Sequence, residues 1–132
     1  VALFGSANDR AVTGAVRQCS AGHDFCFDLA GRTRLAEAVD LLSLATAVVS
    51  NDSGLMHIAA ALARPLVVVY GATSPGFTPP LNANAAILAS DIDCAPCFQR
   101  ECPLGHHRCM RDTPVGRVCG ALDALLAGGE PR

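Results

Sequence analysis

"AVVSNDSGLMHIAAALARPLVVVYG", residues 47–71, reads as strand, helix, strand within twenty-five residues, and it decides the fold. "AVVSN" (47–51) is rich in β-branched residues, and "LVVVYG" (66–71) is almost wholly apolar. Between them Ser53 is a good N-cap. From there Leu55, Ile58, Ala59 and Leu62 follow the i, i+3, i+4, i+7 spacing of one buried helical stripe. At roughly 100° per residue His57 falls on the far side, beside Ala61 and Arg64, and so points away from the core. Pro65 stops the helix, because the residue before a proline is disfavoured in helical geometry.

The same alternation extends in both directions. "VALF" (1–4) and "CFDLAG" (26–31) read as strands, each followed by a helical segment: "RAVTGAVRQC", and "RTRLAEAVDLLSLA" with Leu35, Ala38, Val39, Leu42 and Ala45 in register. "AAILAS" (85–90) is a fifth strand. "TPVGRVCGALDALLAGG" is a closing helix with Thr113 as N-cap, Pro114 at the first helical position and glycines at its end. Continuous apolar strands alternating with helices predict an α/β fold: a Rossmann-like parallel sheet with helices on both faces.

The 132 residues suit one domain with one core. Hydrophobic residues make up 51% and charged residues 17%, the profile of a packed protein. A net charge of −2 leaves no footprint for nucleic acid. No apolar run reaches the roughly 18 residues of a membrane span and no signal peptide is visible, so a soluble, intracellular protein is expected. All ten basic residues are arginine, which we ascribe to genomic bias. The chain opens directly in an apolar strand, so a domain of a longer protein is expected.

In a parallel sheet the carboxyl ends of the strands share one edge, and ligands bind there. "GSAND", "GRT", "SNDSG" and "YGATSPG" follow the first four strands, all small, polar and glycine-bearing, and are expected to form one rim. Within it, Gly54 leaves the backbone open, and the free amides of Gly54, Leu55 and Met56 at the positive helix end suit an anion, most simply a phosphate. His57 adds a hydrogen-bonding group. Asp52 would repel a phosphate but would grip the hydroxyls of an adjoining sugar. The alternative is that Asp52 and Ser53 only cap the helix. No dinucleotide fingerprint follows the first strand, and no P-loop exists in a chain without lysine.

"VVSNDSGLMHIAAALARPLVVVYGATSPGFTPPL", with "CAPCFQRECPLGHHRCM" and "TPVGRV", resembles the nucleotide-sugar half of the ADP-heptose:lipopolysaccharide heptosyltransferases, glycosyltransferase family 9. The resemblance implies the C-terminal, donor-binding domain of a two-domain GT-B enzyme, spanning 1–132, with the acceptor domain and its catalytic base elsewhere. It implies transfer of heptose from ADP-heptose to the lipopolysaccharide inner core at the cytoplasmic face of the inner membrane, with peripheral membrane contact and neither metal nor cofactor. By motif match, Asp52 would hold heptose hydroxyls. The amides of Ser53, Gly54 and Leu55 and the His57 side chain would hold the diphosphate. Asp9 would meet the adenosine ribose and Thr33 would lie near adenine. No catalytic residue is expected in this chain, and alone it is expected to be inactive. A non-catalytic nucleotide-binding module with a zinc-stabilised loop, or a GT-B transferase using another nucleotide sugar, are the competing readings.

Seven cysteines divide into two groups. Cys19, Cys26 and Cys119 stand alone in apolar surroundings and read as small core residues. Cys94, Cys97, Cys102 and Cys109, spaced C-x2-C-x4-C-x6-C around His106 and His107, have enough ligands for tetrahedral zinc, but the spacings are not those of a familiar zinc module, and two disulfides or four free thiols are expected ahead of it.

Overall fold

The computed structural model describes residues 1–20 and 25–128. The chain forms two compact units that divide between Leu41 and Leu42.

In the first, β1 (Ala2–Leu3) pairs in parallel with β2 (Phe27–Asp28). A 3-10 turn over Ala7–Asp9 leads from β1 into α1 (Arg10–Cys19). The turn is closed by a capping box: Ser6 Oγ accepts from the Asn8 amide, and Asp9 Oδ2 accepts from the amide and hydroxyl of Ser6, both at 2.7 Å. Gly31 follows β2 with φ of +62°, and a Cβ there would stand 2.7 Å from Ala7 Cα, so the chain needs glycine at this close approach. α2 (Leu35–Ser43), within whose last turn the division falls, buries Ala38 and Leu42 as expected, whereas Leu35 is 67% exposed.

The second unit is built on a parallel sheet in the order β3 (Val48–Asn51), β4 (Leu66–Tyr70), β5 (Ala85–Ala89). β4 is central and receives a helix on each face. On one side Met56, Ala59 and Ala60 of α3 (Gly54–Ala61) pack with Leu66, Val68 and Tyr70. On the other, Val67, Ala86 and Leu88 pack with Leu125 of α5 (Val115–Leu126), flanked by Val118, Ala121 and Leu122. Coverage on both faces explains why β4 is shielded at every position, while β3 and β5 alternate between more and less exposed residues. A short helix, α4 (Arg108–Arg111), lies in the long connection after β5.

The α/β class is therefore correct, with three corrections. Among the described residues the strands form a two-stranded and a three-stranded sheet, so the loops after β1 and β2 follow strands of one sheet and those after β3 and β4 strands of the other, instead of one shared sheet. The buried stripe of α3 is Met56, Ala59 and Ala60, while Leu55 and Ile58 are half-buried. Two alanines let this short helix lie close to β4, with the flexible methionine filling the space beside them. At the last helix Pro114, not Thr113, is the N-cap residue; Thr113 Oγ1 donates back to the Cys109 carbonyl and closes α4 instead. Gly128 ends α5 with φ of +75°, and Gly129 lies outside the described residues.

Cys19 and Cys119 are exposed and Cys26 is half-buried, so none is a core residue. For Cys119 α5 shows why: the helix packs on the sheet through buried Leu125 and half-buried Val118, Ala121 and Leu122, and Cys119 lies off that stripe.

Candidate functional site

The carboxyl edge of the three-stranded sheet presents the turn from β3 into α3. Ser53, extended at φ −158° and ψ 165°, caps α3 by accepting from the Met56 amide at 3.3 Å. Its hydroxyl also lies 3.2 Å from Ser50 Oγ. The Met56 amide is thus satisfied by the cap and is not free, contrary to the expectation of three open amides. The amides of Gly54 and Leu55 have no partner among the described residues. A Cβ on Gly54 would meet nothing within 4 Å, so nothing in the fold itself demands glycine there; the space above the helix entrance is open.

Asp52 is held on this edge with its side chain only 13% exposed. Oδ2 accepts from the Thr78 hydroxyl at 2.7 Å, and Oδ1 lies 3.8 Å from His57 Nε2, too long for a hydrogen bond. His57 is exposed on the first turn of α3, off the core stripe as the helical spacing predicts. Arg64 is not its neighbour on that face. The chain leaves the helix at Ala63 (φ +52°), and the Arg64 guanidinium donates to the carbonyls of Leu62 and Ser43.

Thr78 was not legible in the sequence as part of this edge. It sits in the loop after β4 among residues ordinary for turns, and only the fold brings its hydroxyl to Asp52. Its carbonyl accepts from the hydroxyl of Tyr70, a residue 1% exposed at the end of β4. Burial, with the nearby Asp52 carboxylate, raises the Tyr70 pKa above the usual phenol value.

Asp52, Ser53, Gly54, Leu55 and His57 are therefore brought together on one sheet edge, while Asp9 and Thr33 belong to the first unit. Asp9 spends one carboxylate oxygen on Ser6, whose hydroxyl and amide hold its pKa below the usual range. Thr33 is half-buried, two residues ahead of α2, with no hydrogen bond among the described residues.

A pocket of about 130 Å3 lies around the cysteine-rich segment, bounded by Gly71 and Ala72 at the start of the loop after β4. All four clustered cysteines, His106 and His107 line it. The backbone amides of His107, Leu104, His106 and Gly105 bond the Cys102 sulfur and lower its pKa; burial and the other three thiols raise that of Cys109.

A central parallel strand covered on both faces, with a serine-capped helix opening on the carboxyl edge of the sheet, defines an α/β domain whose helix entrance is open at that edge. The model of glycosyltransferase family 9 (heptosyltransferase) matches residues 1–108, and the chain belongs to that family. It is 58% identical over 130 residues to the lipooligosaccharide heptosyltransferase 2 of Haemophilus influenzae, covering 96% of this chain and 38% of that one. It is 41% identical over 128 residues to the lipopolysaccharide heptosyltransferase 2 of Escherichia coli, covering 96% and 37%. The solved structure of E. coli ADP-heptose lps heptosyltransferase II matches with a TM-score of 0.80 at 40% identity, over 97% of this chain and 36% of that one. A glycosyl transferase family 9 structure from Veillonella parvula, 21% identical, shares the fold with a TM-score of 0.77, covering 97% and 36%. The chain thus spans less than two fifths of the length of these relatives. No helix among the described residues is long and apolar enough to cross a membrane.

Proposed function

We propose that this chain is the donor-binding domain of a GT-B heptosyltransferase that moves heptose from ADP-heptose to the lipopolysaccharide inner core, at the cytoplasmic face of the inner membrane. The observation that carries the reading is the entrance of α3. There, two unpartnered amides, the exposed His57 ring and the oriented Asp52 carboxylate meet on one sheet edge in a chain of family 9.

In this reading the Gly54 and Leu55 amides and the positive end of α3 receive the diphosphate. His57 adds a hydrogen bond from its exposed ring. Stabilising the leaving diphosphate matters most as the glycosidic bond breaks and negative charge builds on it, because donors already in place need no reorganisation at that moment. Asp52 accepts from sugar hydroxyls. Thr78 occupies Oδ2 and orients the carboxylate, leaving Oδ1 to face the ligand beside His57. Asp9 and Thr33 are assigned to the ribose and adenine on the family resemblance.

None of these groups deprotonates the acceptor hydroxyl, a task the reading gives to an aspartate outside this chain. A transfer assay with ADP-heptose and a truncated lipopolysaccharide acceptor tests it. The 132 residues alone should give no turnover, with a loss of about 10⁴-fold or more from missing base catalysis and positioning. Adding the acceptor domain should restore transfer. Turnover by the chain alone would contradict the split site and place a base among Asp9, Asp52 and His57.

A further inference from the structure

We propose that Cys94, Cys97, Cys102 and Cys109 form a structural site for one thiophilic divalent metal ion, zinc being the ordinary occupant of a four-thiolate set. The four cysteines and His106 line a single pocket. All seven cysteines of the chain are thiols and no disulfide pairs any of them.

The backbone turns back sharply after Cys102: the Gly105 amide donates to the Cys102 carbonyl at 3.0 Å, and Gly105 (φ +67°) and His107 (φ +52°) both take left-handed geometry.

His106 separates the thiol set from a mixed one. Its Nδ1 accepts from the Arg108 amide at 3.0 Å, so in the neutral ring Nε2 carries the proton. Nε2 faces Cys94 Sγ at 4.0 Å and is a donor toward that sulfur instead of a ligand. A histidine that donates to a ligating sulfur orients it and spreads its charge. Arg100 also lines the pocket, and its positive charge has the sign that would offset the net negative charge of four thiolates and one divalent ion.

Among the described residues no three such groups stand at metal-binding separations, so the cluster is open. Uptake draws the thiols inward; four metal–sulfur bonds form, and each thiol still protonated gives its proton to water. The segment is already tied to the loop after β4, where the Phe98 amide donates to the Ala72 carbonyl at 2.7 Å. A Cβ on Gly71 would stand 3.2 Å from Cys109 Sγ, so the metal would brace that loop.

The test is elemental analysis of the purified, reduced protein, followed by titration of the metal-free form with Co²⁺ and competition by Zn²⁺. One equivalent should bind, with the intense thiolate-to-cobalt charge-transfer absorption of a tetrahedral four-sulfur site. Cys102→Ser and Cys109→Ser should lose stoichiometric binding, and Cys19→Ser and Cys119→Ser should keep it. His106→Ala should keep the four-sulfur spectrum but bind about 10- to 100-fold more weakly. Failure of the reduced parent protein to bind one equivalent would overturn the proposal whether or not the variants fold. So would undiminished binding by Cys102→Ser together with Cys109→Ser, or two disulfides in protein purified under reducing conditions.

Discussion

Asp52 Oδ2 accepts the Thr78 hydroxyl at 2.7 Å, joining the loop after β3 to the loop after β4 across twenty-six residues of sequence. The Asp52 side chain is largely shielded from water, so the bond is a charge-assisted one in a setting where its loss is felt. Thr78→Val keeps the shape and removes the donor. It should lower stability by about 1 to 2 kcal/mol, read as a shift of the urea midpoint with an unchanged slope. It should also weaken ADP-heptose binding, because the carboxylate is no longer held. An unchanged midpoint together with unchanged donor affinity would mean that the contact orients nothing.

His57 lies exposed on the first turn of α3 and contributes nothing to the core there. His57→Ala should therefore leave the melting temperature nearly unchanged while weakening ADP binding by about 1 to 3 kcal/mol, the range for a hydrogen bond to a charged group. Equal ADP affinity in a normally folded variant would remove His57 from the diphosphate site.

Tyr70 is buried at the end of β4 and donates to the Thr78 carbonyl, and its pKa in the folded state is raised above about 10, the value for an unperturbed phenol. The folded state then holds its proton where the unfolded state has released it. The contribution is fully present below pH 10 and is lost as pH rises through the folded-state value. Denaturant midpoints measured from pH 8 to 11 should fall more steeply above pH 10 for the parent than for Tyr70→Phe. Parallel profiles would show that this phenol is not what makes the fold sensitive to alkali.

The run from 47 to 71 carried most of the fold because its local signals agree: β-branched strands, a serine cap and a proline stop all point the same way. Position along the chain could not say which helical stripe wins. Leu55 and Ile58 look the better core residues by size, but close packing on β4 selected Met56, Ala59 and Ala60. The division into two sheets was equally hidden, since strand pairing is non-local. At the site, Asp52, Ser53, Gly54 and His57 were legible because they share one short helix entrance. Thr78 was not, because a threonine in a loop acquires its partner only through the β3–β4 register.

The central claim is that the entrance of α3 holds a nucleotide sugar, with Asp52 on the sugar and the helix amides and His57 on the diphosphate. Calorimetric titration of ADP and ADP-heptose into the parent chain and Asp52→Ala tests it most directly. The account predicts that the parent binds both, and that the substitution weakens ADP-heptose while sparing or slightly improving plain ADP, from which it removes a repelling charge. Failure of the folded parent chain to bind either ligand, or an equal loss of both in Asp52→Ala, would contradict it, the latter reducing Asp52 to a support for the helix entrance.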